Sequence, residues 1–269
     1  MIVGIQLYTL RDYCKTPEDI HKTLKRVADM GYTAVQMSGI GKIEYSLFKE
    51  YCDEFGLDIV STHNSFDRIT KDTEQLIKDH EILECDYIGI GAPGPGQADT
   101  SEHFKEFIDA LAEAAEKIHA AGKTFCYHNH HLEFQKFDDG FVAMDYMLEK
   151  FPKHVQFIVD AFWVEYTGTK AADHLRRLAG RIDCIHYKDL IEKPKADGEE
   201  GEMEKVYAPV GEGVLDWAEI NKASEEGGVK WIVVEQDACE GDPFDCIQTS
   251  YNSYTNVRIN DEQPITNKS

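Results

Sequence analysis

The sequence predicts a single (β/α)8 barrel over residues 1–258, followed by a polar tail at 259–269. Three observations carry that expectation. Eight short apolar runs of strand character recur along the chain, eight segments of helical spacing lie between and after them, and several of the runs close on a His, Asp or Glu. Alternating strands and helices build a parallel sheet with right-handed crossovers, and eight such units are the number that closes on itself. Of 269 residues, 42% are hydrophobic and 29% charged, which suits one substantial core.

The strand-like runs are Ile2 to Leu7, Thr33 to Met37, Asp58 to Thr62, Asp86 to Ile90, Thr124 to His128, Val155 to Asp160, Asp183 to Tyr187 and Trp231 to Glu235. The first helix has its start written out as Thr16-Pro17-Glu18-Asp19, a hydroxyl cap, a proline at the first helical position and acids facing the positive end of the dipole. It ends near Gly31. The clearest helix is Ser101 to Ala121, where Phe104, Phe107, Ile108, Leu111, Ala115 and Ile118 share one face and Gly122 ends the pattern. Further helical patterns cover Tyr45 to Phe55, Asp72 to Glu84, Gly140 to Lys150, Ala171 to Leu178, Asp216 to Glu226 and Pro243 to Tyr254.

An open doubly wound sheet is the competing architecture. Against it, no G-x-G-x-x-G follows the first strand, and the nearest segment, Gly89-Ile90-Gly91-Ala92-Pro93-Gly94, reads as a rigid proline loop. Outside the repeat, Glu192 to Val206 is rich in Lys, Glu, Asp and Gly and reads as a solvated loop after strand seven, where barrel enzymes often keep a lid. The tail from Asn260 is polar and expected to fray.

Acidic residues outnumber basic ones by 50 to 28, and the formal charge of -22 repels phosphate backbones and anionic membrane surfaces. Nucleic acid and membrane partners are therefore not expected. Seven cysteines are scattered without a C-x-x-C pair and read as reduced thiols. With no basic leader before an apolar run and no stretch near membrane-span length, a cytoplasmic location is expected. The sequence leaves the oligomeric state open, a homo-oligomer included.

Barrel active sites stand at the C-terminal ends of the strands, so the closing residues carry the chemistry. Strand five closes on His128, within Tyr127-His128-Asn129-His130-His131; strand six on Asp160; strand seven on His186; strand eight on Glu235. Two imidazoles and two carboxylates at one mouth suit a divalent ion such as Mn²⁺, Zn²⁺ or Co²⁺. Each also has an ordinary structural reading: His128 as a hydrogen-bonded barrel histidine, Asp160 as a cap on the next turn, Glu235 as the partner of a lysine.

The residues resemble the xylose-isomerase-like barrels of the sugar phosphate isomerase/epimerase family, among them tagatose/psicose 3-epimerases, inosose dehydratases and hydroxypyruvate isomerases. The likeness spans nearly the whole chain. It rests on Gly4-Ile5-Gln6-Leu7-Tyr8-Thr9-Leu10, His63, Tyr127-His128-Asn129-His130, Val159-Asp160-Ala161-Phe162-Trp163, His186-Tyr187-Lys188-Asp189, Pro209-Val210-Gly211-Glu212-Gly213 and Val234-Glu235-Gln236-Asp237. The resemblance implies one divalent metal, Mn²⁺ first and Zn²⁺, Co²⁺ or Mg²⁺ as alternatives, held by a Glu, an Asp, a His and a second Glu from strands five to eight. Asp160, His186 and Glu235 match the last three; His128 stands where the first Glu is expected. In the epimerases both glutamates also shuttle protons, so this departure weakens a two-base reaction and leaves His128 as ligand or base.

A second departure is Trp163, where the epimerases tend to have a histidine. It reads either as a face for a sugar ring or as a packing residue at the rim. His63 is a candidate donor to a substrate hydroxyl, His130 and Glu133 follow strand five, and Glu133 supplies the missing carboxylate if its loop turns inward. Lys188 lies two residues beyond His186 on the same side and is a candidate to stabilise an enolate. Gln6, Gln36 and Glu212 are polar lining.

The expected reaction is proton abstraction next to a carbonyl of a small sugar or sugar derivative, with Glu235, His128 and Lys188 as the catalytic set. Isomerisation or epimerisation is the leading reading. A lyase or dehydratase on a keto-sugar, keto-inositol or 3-keto-glycoside is the nearest rival, and a barrel that binds a sugar without converting it is the third.

Overall fold

The computed structural model describes residues 1–196 and 201–261. Eight parallel strands close a barrel: β1 (Ile2–Gln6), β2 (Ala34–Met37), β3 (Asp58–Asn64), β4 (Tyr87–Ile90), β5 (Thr124–His128), β6 (Gln156–Asp160) and β7 (Cys184–Tyr187), completed by the last strand, β10 (Trp231–Val234). That last strand pairs with β7 on one side and β1 on the other, with Ile5 opposite Val234 as the final matched pair at the seam. Between β7 and β10 the chain makes an antiparallel hairpin of β8 (Asp189–Pro194) and β9 (Met203–Ala208).

Helices α1 (Pro17–Asp29), α2 (Tyr45–Glu54), α3 (Phe66–Lys71), α4 (Thr73–Ile82), α5 (Ser101–Ala120), α6 (Ala143–Lys150), α7 (Ala161–Tyr166), α8 (Ala171–Arg177), α9 (Trp217–Gly227) and α10 (Pro243–Asp261) connect the strands, with 3₁₀ helices η1 (Leu7–Tyr13) and η2 (Leu132–Phe134) after β1 and β5. The expected start of α1 holds: Thr16 Oγ1 accepts the Asp19 N–H at 3.2 Å while Asp19 reaches back to Thr16.

Strand side chains alternate between two cores. Ile5, Val35, Ile88, Phe125, Phe157 and Ile232 face the helices, whereas Ala34, Val60, Cys126, Ile158, Cys184 and Val233 form a small apolar cluster inside the barrel. The period of two then dictates what lies above that cluster. Two residues beyond Ala34, Cys126, Ile158, Cys184 and Val233 stand Gln36, His128, Asp160, His186 and Glu235, so one polar layer sits on one apolar layer.

The segment from Glu192 to Val206 departs from its expected loop. Its described ends are strands, paired from Asp189 opposite Ala208 to Pro194 opposite Met203, and residues 197–200 lie outside the described residues. Charge conceals the alternation there, because both faces of a rim hairpin meet water over most of its length. Likewise, α10 carries through Asn260 and Asp261, and the rest of the polar tail lies outside the described residues.

Candidate metal centre

Each of the four strand-closing residues brings one ligand atom to the same place. The four atoms, from His128, Asp160, His186 and Glu235, lie within 4.8 Å of one another, and all four side chains are buried. Ligands about 2.0–2.3 Å from a shared ion stand up to about 4.6 Å apart, so the cluster has the dimensions of a coordination site.

Hydrogen bonding settles which nitrogen each imidazole offers. His128 Nδ1 lies 2.9 Å from the Gly91 carbonyl and donates to it, so Nε2, which faces Asp160 Oδ2 at 3.4 Å, is the nitrogen left to a metal ion once it gives up the proton that Asp160 favours there. His186 Nε2 lies 2.6 Å from Gln36 Oε1 and donates to it. The bare His186 Nδ1 is then 2.9 Å from Glu235 Oε2, buried and without a hydrogen bond. A lone pair facing a carboxylate oxygen at that distance is satisfied by a proton or by a metal ion bound to both, and this atom is the clearest sign that the residues fit a metal ion.

Asp160 has two tasks. Its Oδ1 accepts the Trp163 N–H at 3.0 Å and caps α7, its own backbone N–H donates to Asn129 Oδ1 at 3.1 Å, and Oδ2 is left for the site. Capping and ligation, alternatives in the sequence, coexist here.

Lys188, buried to 1% exposure, sets Nζ 3.1 Å from Asp160 Oδ2, 3.1 Å from Glu235 Oε2 and 3.0 Å from Asp237 Oδ2. Burial opposes its charge, but the three carboxylates outweigh burial and hold its pKa well above the ordinary value. Burial likewise pushes Asp160 and Glu235 up, and the Lys188 ammonium together with the neighbouring imidazoles of His128 and His186 outweighs it, leaving Asp160 below and Glu235 well below the usual carboxylate range. Three carboxylates against one ammonium leave two negative charges, the complement of one divalent cation.

Above the cluster opens a cavity of about 480 Å³, lined by His63, His128, His130, Lys188 and Glu235 among others. Burial and the neighbouring imidazoles of His128 and His186 push His63 well below its usual range, and burial brings His130 to about 3, so both present neutral rings. His63 is held between Gln6 Nε2 at 3.2 Å and Gln36 Nε2 at 3.1 Å.

Other expected site residues stand elsewhere. Gln6 is fully buried beneath the cavity, where Nε2 donates to Gln36 Oε1 at 2.8 Å, so it supports the floor and does not meet a ligand. Glu133 does not turn inward. Its two oxygens accept the Tyr127 hydroxyl and the His130 N–H, each at 2.7 Å, which pins the chain after β5. Trp163 stands behind Lys188, with its ring 5.6 Å from Nζ and beside His130 and His131, and it is absent from the cavity lining. Glu212 is exposed and takes no part.

Among the lining residues that sequence reasoning missed are Tyr8, Arg11, Tyr207 and Asp237. Asp237 stands two residues after Glu235, the same spacing that singled out Lys188 after His186, so strand period alone flags it. Tyr207 lies inside the hairpin misread as a loop.

Comparison with known proteins agrees with this architecture. A family model described as the xylose isomerase-like TIM barrel matches residues 24–243. The chain is 22% identical to an inosose dehydratase of Geobacillus kaustophilus (strain HTA426) over 256 residues, 83% of this chain and 82% of that protein. Among solved structures, a sugar phosphate isomerase/epimerase of Parabacteroides distasonis superposes with a TM-score of 0.71 at 21% identity, covering 97% of this chain and 98% of that one. The IOLI protein, solved with a zinc atom bound, superposes with a TM-score of 0.68 at 16% identity over 96% of this chain and 98% of its own.

Proposed function

This chain belongs to the xylose isomerase-like TIM barrel family, and from that premise we propose that it is a divalent-metal-dependent sugar isomerase that removes a proton next to a carbonyl and proceeds through an enediolate. The observation that supports it most is the convergence of four buried ligand atoms, with one nitrogen of each imidazole turned inward. Mn²⁺ is the ion placed first for this mixed nitrogen and oxygen set, with Zn²⁺, Co²⁺ and Mg²⁺ as alternatives. When bound, the ion supplies Lewis acidity at the substrate carbonyl.

The chain's own residues do the rest. Glu235 borders the cavity as an ionised carboxylate and takes the proton. The Lys188 ammonium, also on the cavity wall, sets a positive charge near the oxygen on which negative charge develops. His130 offers a neutral ring nitrogen to a substrate hydroxyl, while His63, with both ring nitrogens held by Gln6 and Gln36, shapes the cavity wall. His128 keeps no spare nitrogen, because Nδ1 is committed to Gly91 and Nε2 to the cluster. Glu235 is thus the only base of the set, which suits proton return to the face it left and disfavours inversion by two bases.

A second reading, elimination from a keto-sugar or 3-keto-glycoside, is favoured by the same ammonium, whose charge 3.1 Å from Glu235 eases the departure of an oxygen as an anion. Its precedent among the relatives is the inosose dehydratase. The substrate is a small sugar or sugar derivative in either case. A cytoplasmic site of action accords with the sequence, and among the described residues no helix is long and apolar enough to cross a membrane.

Incubation of the Mn²⁺-loaded protein in deuterated water with aldose/ketose pairs and with keto-glycosides separates these readings. Solvent deuterium entering next to the carbonyl without loss of a group supports isomerisation; loss of water or aglycone supports the lyase. No exchange with any substrate overturns both and leaves a sugar-binding barrel.

A further inference from the structure

Glu235 lies one residue beyond the barrel sheet, at the seam where the first and last strands meet. On the β7 side its N–H donates to the Tyr187 carbonyl at 3.1 Å. On the β1 side the strand pairing stops at Ile5 and Val234. Beyond that pair, two side chains of η1 hold the chain. Thr9 Oγ1 accepts the Gln236 N–H at 3.0 Å, and Arg11 Nη2 donates to the Asp237 carbonyl at 3.0 Å.

The hook is itself braced. Arg11 Nη1 donates to the Tyr8 carbonyl at 2.8 Å, and the guanidinium lies 4.2 Å from the centre of the Tyr8 ring. Gly39 makes room for Tyr8 by lacking a side chain, since a Cβ there would stand 2.5 Å from Tyr8 Cδ2. The start of η1 is fastened in turn by Gln6, whose Oε1 accepts the Tyr8 N–H at 3.3 Å. A planar fork that spans two carbonyls is a task for arginine, because a lysine ammonium at the same place reaches one of them at a time.

We propose that Thr9 and Arg11 are positioning residues that clamp the chain across the barrel seam, fixing where Glu235 and Asp237 stand and, through Asp237, where Lys188 stands. The proposal rests on the reading of Glu235 as a metal ligand. Neither residue touches the ligand cluster, so their effect on it passes through the backbone of residues 235–237.

The test uses the full chain, wild type beside Thr9→Val, Arg11→Met and Arg11→Lys, with two readouts: Mn²⁺ affinity by titration, and hydrogen exchange of the backbone at residues 235–238 in metal-free protein. The expected result is a Mn²⁺ affinity lower by about 10–100-fold in Thr9→Val and Arg11→Met, the usual effect of losing a support behind a ligand, with partial recovery in Arg11→Lys. Faster exchange confined to 235–238 should accompany it. Unchanged affinity in the folded Thr9→Val and Arg11→Met variants overturns the proposal. Should the wild type bind no divalent ion, the metal reading fails instead, and the clamp is judged on exchange alone: faster local exchange in the variants upholds it and unchanged exchange removes it.

Discussion

His186 Nε2 donates to Gln36 Oε1 across 2.6 Å, joining strands far apart in the sequence, 150 residues from one to the other. That bond fixes the tautomer, and with it the Nδ1 lone pair that faces Glu235. Gln36→Leu should leave the fold intact and lower Mn²⁺ affinity by about 10–100-fold, because the imidazole is then free to turn or to protonate the wrong nitrogen. Titration with Mn²⁺ reads the loss directly, and an affinity equal to wild type contradicts it.

Lys188 and a metal ion answer the same excess of negative charge. Lys188→Met leaves three neighbouring carboxylates without their ammonium, a loss of about 3–5 kcal/mol for a broken buried pair. A divalent ion then has more charge to neutralise, so the rise in melting temperature on adding Mn²⁺ should be larger in the variant than in wild type, although turnover falls. An equal or smaller rise would mean that Lys188 and the ion do not share those carboxylates.

Two buried histidines away from the site contribute to the pH dependence of stability. Burial brings His80 to about 4 and His174 to about 4, against about 6.5 in an unfolded chain. Between those values the unfolded chain takes up protons that the folded one refuses, so this contribution is whole above about pH 6.5 and is lost as pH falls toward 4. Each group adds up to about 1.4 kcal/mol per pH unit in that window. Urea midpoints at about pH 7 and about pH 5 should show the fall in wild type and a shallower one in His174→Leu, which lacks one of the two groups.

The barrel is legible in the sequence because its strands are buried on both faces and read as short apolar runs, and because helices such as α1 and α5 carry their caps and apolar stripes in plain order. The four ligands are legible for a related reason. A period of two along Cys126 to His128, Ile158 to Asp160, Cys184 to His186 and Val233 to Glu235 lifts each strand from apolar core to polar rim. What local pattern does not carry is the path of the chain once a strand ends. Glu133 and Trp163 have the right chemistry and spacing, but the turn after β5 spends Glu133 on Tyr127 and His130, and α7 sets Trp163 behind Lys188. The hold of Arg11 on Asp237 spans 226 residues and has no sequence signature.

Metal content of the purified protein, wild type beside Asp160→Ala, His186→Ala and Glu235→Ala, tests the central claim most directly. About one tightly held divalent ion per chain in wild type, with substoichiometric metal in each variant and the far-UV circular dichroism unchanged, is the predicted result. Full occupancy in all three variants, or a wild type that retains no ion after incubation with Mn²⁺ or Zn²⁺, would contradict it.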